Sequence, residues 1–101
     1  MNLKLKTKEA ETQKAIREYL EWRGWQVRKL TIPRYSKGKG LPDLLAWKNK
    51  RMIFWEIKSP TTYYKETPEQ QQFFADLEKV EKVRGTVVRS IEEVKQLLSE
   101  L

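Results

Sequence analysis

Two apolar runs, from Asp43 to Lys48 and from Arg51 to Ser59, meet at Asn49-Lys50. Runs of this length, rich in Leu, Ile, Phe and Trp and separated by two residues, read as a β-hairpin, although Asn-Lys is a weaker turn signal than Asn-Gly. A two-residue turn fixes the register, and it sets Asp43 opposite Glu56. Facing side chains lie on the same side of a sheet with Cβ atoms ~4.5–5.5 Å apart. Lys58 follows Glu56 by two residues and projects from that same face. The hairpin therefore gathers two carboxylates and an ammonium on strands otherwise made of Leu44, Leu45, Ala46, Trp47, Ile53, Phe54, Trp55 and Ile57.

Charges on interior strands are costly unless they are paired or bound to a metal, and adjacent carboxylates repel. A divalent cation between Asp43 and Glu56 would relieve both penalties and lower the pKa of a bound water. Lys58 would position that water or neutralise developing charge. Hairpin geometry alone leaves a second reading open, a structural salt-bridge cluster at a strand end. Glu-x-Lys by itself carries little information, since Glu93-Val94-Lys95 repeats it on an expected surface helix.

Composition narrows the chemistry. The chain has no Cys and no His. Disulfides, thiolate metal sites, zinc fingers and His-based acid/base or nucleophilic catalysis are excluded, and a cytoplasmic protein is expected. Any metal must sit on oxygen ligands, which favours Mg²⁺, Mn²⁺ or Ca²⁺. The start, MNLKLKTK, has no apolar core of a signal peptide, and no apolar run approaches the ~18–20 residues of a membrane helix. The length of 101 residues fits one domain, taken as 1–101.

The net charge of +7 is unevenly spread: residues 1–65 carry +10 and residues 66–101 carry −3. Between Arg23 and Pro42 stand Arg23, Arg28, Lys29, Arg34, Lys37 and Lys39, with no acid among them. One-sided positive charge suits a polyanion such as nucleic acid. Gly38, Gly40 and Tyr35 in the same stretch suggest a loop able to follow a backbone and stack on a base. Arg34, Lys37 and Lys39 are expected to contact phosphates. Tyr63 and Tyr64, in a polar loop after the Glu-x-Lys strand, would stack on DNA or cover the edge of the core.

The remaining elements follow from periodicity and punctuation. Thr7 is a plausible cap for a helix over about 8–23 that carries Ile16 and Leu20 and stops at Gly24. Residues 25–32 alternate as a strand closed by Pro33. Thr67-Pro68-Glu69-Gln70 opens a helix with cap, proline and capping-box glutamine, which carries Phe73, Phe74, Leu77 and Val80 and ends near Gly85. Residues 86–89 read as a short strand, and Ser90-Ile91-Glu92-Glu93 as a second capping box leading a helix with Val94, Leu97 and Leu98. Trp47, Trp55, Phe73 and Phe74 are expected in the core or facing a partner, and Trp22, Trp25 or Trp55 could supply an interface. The order α-β-β-β-α-β-α implies an α/β (α+β) fold, a central mixed sheet flanked by helices.

Pro42-Asp43, twelve residues, then Glu56-Ile57-Lys58 resembles the P-D…(D/E)-x-K signature of the restriction-endonuclease-like nucleases, whose core is αβββαβ, here followed by a C-terminal helix. Gly40-Leu41-Pro42-Asp43-Leu44, Phe54-Trp55-Glu56-Ile57-Lys58, Thr67-Pro68-Glu69-Gln70 and Val87-Val88-Arg89-Ser90-Ile91-Glu92-Glu93 together resemble the VRR-NUC (virus-type replication-repair nuclease) family over about residues 7–98. The chain looks like a minimal stand-alone member of the kind found in phages and bacteria.

The resemblance implies a role for each matching position. Asp43, Glu56 and the Ile57 backbone carbonyl would hold Mg²⁺ or Mn²⁺, Lys58 would activate water, and Gln70 would lie near that water or the phosphate. The family's first-helix glutamate would be Glu9 or Glu11. Glu9 shares the stripe of Gln13, Ile16 and Leu20, whereas Glu11 points about 180° from Leu20, so Glu9 is preferred. The implied activity is a metal-dependent, structure-specific DNA endonuclease, acting as a homodimer on branched DNA such as Holliday junctions, in the cytoplasm of a bacterium or phage-infected host. Three alternatives remain: a non-catalytic DNA-binding module, an interaction protein for an acidic partner, and a different nuclease of the same superfamily, such as a junction resolvase or restriction-like enzyme.

Overall fold

The computed structural model describes residues 3–30, 41–59 and 66–101, with side chains of the first helix described from Glu9 onward. The element order is α1 (Leu3–Trp22), β1 (Gln26–Lys29), β2 (Leu44–Lys48), β3 (Arg51–Ile57), α2 (Pro68–Leu77), β4 (Val83–Val88) and α3 (Ile91–Ser99). This is the expected order, on an α+β fold. The strands form one sheet in the order β1-β2-β3-β4, antiparallel except for the parallel β3–β4 pair.

The hairpin has the register that its turn demands, with Leu44 opposite Trp55 and Lys48 opposite Arg51. Asn49 and Lys50 both take positive φ, 49° and 68°. That is the type I′ geometry that matches the twist of paired strands, adopted here without glycine. β3 is one of the two inner strands, and from Ile53 to Ile57 it is buried along nearly its whole length. Alternation sends Ile53, Trp55 and Ile57 to one face, where they pack with Leu44, Ala46 and Val88 beneath Ile16 and Leu20 of α1 and Val94 and Leu97 of α3. Burying each such side chain contributes roughly 1.5–3 kcal/mol. Phe54 points to the other face, where the Phe73 ring of α2 meets it edge-on at 5.2 Å.

α1 extends further than the capping signal suggested: it begins at Leu3, so Thr7 lies inside it rather than at its start. Its far end is as expected. Gly24, at φ 92°, donates to the Glu21 carbonyl, and the Trp25 amide donates to the Leu20 carbonyl. That pair of bonds is a Schellman stop, and the positive φ requires glycine. β1 runs from Gln26 to Lys29, Leu30 follows it outside the strand, and the expected strand residues Thr31 and Ile32 lie outside the described residues.

The second helix is shorter than its apolar pattern suggested. α2 stops at Leu77, Val80 is exposed beyond it, and β4 starts at Val83 rather than Thr86. Gly85 is no helix stop but a residue within β4. A Cβ there would lie 2.3 Å from Phe74 Cδ1, so the bare backbone is what lets the ring of α2 rest on the strand. Trp25 and Trp55 are buried in the core, which removes them as interface candidates, while Trp47 is half-buried and Trp22 is 79% exposed. Among the described residues, no helix is long and apolar enough to cross a membrane.

Candidate active site

The site forms where β2 begins and β3 ends, between the α1 side of the sheet and the first turn of α2. The Asp43 backbone is tied on both sides. Its amide donates to the Trp55 carbonyl at 3.0 Å, and its carbonyl accepts from the Leu30 amide at 2.8 Å. Regular pairing ends at Leu44–Trp55, and Asp43 sits at a bend just before it, its amide on the Trp55 carbonyl and off the regular register. The Asp43 and Glu56 side chains still meet, through a hydrogen bond between their carboxyls. The Asp43 side chain is fixed as well: its Oδ2 accepts from the Ile57 amide at 2.8 Å.

Glu56 is only 4% exposed, on the face opposite the main core, next to α2. Gln70 explains how α2 reaches it. Thr67 caps the helix by accepting from the Gln70 amide, and Gln70 Oε1 accepts in return from the Thr67 amide at 3.1 Å. This capping box holds the side chain so that Nε2 donates to Glu56 Oε2 at 2.5 Å. One Gln70 conformation therefore both closes the capping box and bonds Glu56.

Burial pushes the Glu56 carboxyl up to about 8, and the hydrogen bond and charge of Asp43 push it the same way. Lys58 opposes the shift and Glu9 adds to it. Near neutral pH the Glu56 carboxyl is held protonated against Asp43. Such a pair has room for one proton or one cation between its oxygens, and a cation would displace the proton. The donors are oxygens only, which fits a hard divalent ion. Among the described residues no group of three or more Asp, Glu, His or Cys comes close enough to hold a metal, so the carboxylate donors here are this pair.

The other expected residues stand at the same end. Lys58 is half-buried, with its amide bonded to the Val88 carbonyl at 3.0 Å. Ile57 lies between Glu56 and Lys58 with its side chain in the core. Glu9 is half-buried on α1 and its charge is felt at Glu56, whereas Glu11 is exposed and is not among the groups that act on Glu56. Arg34, Lys37, Lys39, Tyr63 and Tyr64 lie outside the described residues.

Arg89 is a residue that sequence reasoning left without a role. Ile57 pairs with Val88, so the parallel register sets Arg89 beside Lys58. Its guanidinium donates to the Ser59 carbonyl at 2.6 Å, and its amide donates to Glu93 Oε2 at 3.1 Å. Ser90 caps α3 by accepting from the Glu93 amide, but the Glu93 side chain closes on Arg89 rather than on the cap residue itself. A second cation thus stands at the end of β3. The signal for it was the parallel pairing of β3 with β4, which no local motif encodes.

The fold and the site together describe a four-stranded α+β domain with an acid pair and a lysine at the open end of its central hairpin. Comparison with solved structures finds a VRR_NUC domain that superposes with a TM-score of 0.71 at 32% identity, covering 91% of this chain and 95% of that one. No family model and no curated protein matches the chain. The chain belongs to the VRR-NUC family, and the likeness supports a nuclease domain of the PD-(D/E)xK type.

Proposed function

We propose that the protein is a metal-dependent, structure-specific DNA endonuclease that hydrolyses phosphodiester bonds. The observation that carries this reading is the pairing of buried Glu56 with half-buried Asp43, with Gln70 hydrogen-bonded to Glu56 from the first turn of α2 and the Lys58 charge acting on Glu56 from the next strand position on the same face. A purely structural pair would be cheaper as apolar residues, because burying two carboxylates without a cation costs stability.

Asp43, Glu56 and the Ile57 carbonyl would hold Mg²⁺ or Mn²⁺. The bound ion would supply charge to the scissile phosphate and acidity to water. The chain's own residues do the rest. The Ile57 amide and the backbone ties of Asp43 orient its carboxylate. Gln70 orients Glu56 and lies where it can bond an attacking water or a phosphate oxygen. Lys58, as an ammonium, would orient that water by donating to it and would offset negative charge at the phosphate. Glu9 adds a negative charge beyond the pair. Arg34, Lys37 and Lys39 would grip phosphates, and Tyr63 and Tyr64 would stack on bases.

The preferred substrate would be branched DNA, including four-way junctions, cut by a homodimer in the cytoplasm. A two-fold dimer presents two sites to two symmetry-related strands, which suits a junction. The test is cleavage of labelled linear duplex, flap and four-way junction in Mg²⁺, Mn²⁺, Ca²⁺ or EDTA. Paired symmetric nicks on the junction, with weaker cutting of the duplex, are expected. Tight, salt-sensitive binding without strand scission in any metal would leave the DNA-binding module as the correct reading.

A further inference from the structure

The pole of the molecule opposite the acid pair carries a surface that the proposed site does not use. Asp43 and Lys48 bracket β2, so the two ends of the hairpin stand about 17 Å apart at ~3.4 Å per residue. At the far end the Trp22 ring is 79% exposed, the highest value of any large apolar side chain described. It lies 6.2 Å from the Tyr19 ring, tilted by 34°. Two cations cover that tyrosine: the Arg23 guanidinium at 5.9 Å, also bonded to the Tyr19 hydroxyl at 3.1 Å, and the Lys95 ammonium of α3 at 5.3 Å.

A cleft of about 270 Å³ opens beside this cluster, lined by Arg23, Lys48 and Arg51, with Trp25 and Leu98 as its apolar wall. Lys48 is locked in place by donating to the Arg23 carbonyl at 2.7 Å. Two exposed acids of α1, Glu18 and Glu21, stand within a turn of Trp22, and Glu21 pairs with Arg17 at 3.7 Å.

From this juxtaposition we infer that the pole is a second nucleic-acid site, one that takes an unpaired strand, with a base stacked on Trp22 and the adjoining phosphates held by Arg23, Lys48, Arg51 and Lys95. The exposed Trp22 indole lies against a tyrosine that two cations cover and beside a cleft lined by Arg23, Lys48 and Arg51, which together give the stacking platform and electrostatic groove that single strands require. A second copy of this chain is the poorer occupant, because a two-fold contact through Trp22 would press these cations against their own equivalents. A duplex is also poorer, since its bases are already stacked and the indole would find no open ring. The inference rests on the nuclease reading for its choice of polymer, and it adds a place for the unpaired arm of a branched substrate.

The test is anisotropy of a labelled fifteen-nucleotide oligo-dT in EDTA, where no cleavage intervenes, alongside a labelled duplex. Trp22→Ala should weaken dT binding about five-fold or more, while Trp22→Phe keeps most of it. Arg51→Gln with Lys95→Gln, both exposed, should flatten the dT salt slope by about 1.4 units. Duplex affinity should change far less in each variant. Circular dichroism identical to wild type confirms that the variants fold. Wild-type dT affinity in Trp22→Ala would overturn the inference. So would a change in sedimentation from dimer to monomer at unchanged dT affinity, which would make the pole a contact between copies. Duplex binding with no dT binding would overturn this inference and leave the nuclease reading standing. Failure to bind either DNA would sink both.

Discussion

Glu56 is the residue on which the site's behaviour turns. Its carboxyl is raised from an ordinary value of 4.5 to about 8, so the folded metal-free protein holds a proton there that the unfolded chain releases. The sign follows: between pH 4.5 and 8 the native state binds more protons, and stability falls as pH rises through that window. Denaturant midpoints in EDTA should therefore drop from pH 5 to pH 8.5. In Glu56→Gln this component should vanish, leaving the variant more stable than wild type at the alkaline end. A wild-type profile that is flat or rises across the window would show that Glu56 is not buried against Asp43 as described. Lys58→Ala should lose cleavage while retaining Mn²⁺ binding by calorimetry. If the metal is lost too, Lys58 holds the acids in place rather than acting on water.

At the scale of elements, the hairpin and α2 do the positioning. Thr67→Ala should cost about 0.5–2 kcal/mol by denaturant unfolding, since it removes a helix cap. It should also slow cleavage without weakening DNA binding, because the same box aims Gln70 at Glu56. Gly85→Ala should destabilise by about 1–3 kcal/mol, because a Cβ at that point must displace the Phe74 ring. Equal unfolding midpoints for Gly85→Ala and wild type would mean that α2 yields easily. These elements also show where a sequence can be read. The hairpin was legible because a two-residue turn leaves only one register, which holds from Lys48–Arg51 to Leu44–Trp55 and brings Asp43 and Glu56 to the same end, where their side chains rather than the ladder join them. Gln70 was legible because a capping box is written in four consecutive residues. The length of α2 was not, because Val80 fits a helical stripe yet the chain turns before it, and Gly85 reads as a stop when it is in fact a packing site. Arg89 escaped because its neighbour Lys58 is thirty-one positions away across a parallel pair.

For the whole molecule, the charge pattern is the governing feature: +10 in the first two-thirds of the chain and −3 in the rest. If Lys37 and Lys39 contact the backbone near the acid pair, the double alanine variant should weaken binding to every DNA shape alike and flatten the salt slope by about one to two units. A loss confined to junctions would assign that stretch to shape recognition instead. The acid pair at one end of β2 and the cationic aromatic cluster at the other would then divide the labour, cutting at one pole and holding an unpaired strand at the other.

If Asp43 and Glu56 form a metal-dependent hydrolytic site, cleavage must need both the metal and the Asp43 carboxylate. The most direct measurement is single-turnover cleavage of an end-labelled four-way junction by wild type and by Asp43→Asn, each with Mg²⁺ and with EDTA. Cleavage by wild type in Mg²⁺ alone, with none from Asp43→Asn although it binds the junction as tightly, is the predicted result. Cleavage by Asp43→Asn at the wild-type rate, or by wild type in EDTA, would contradict it.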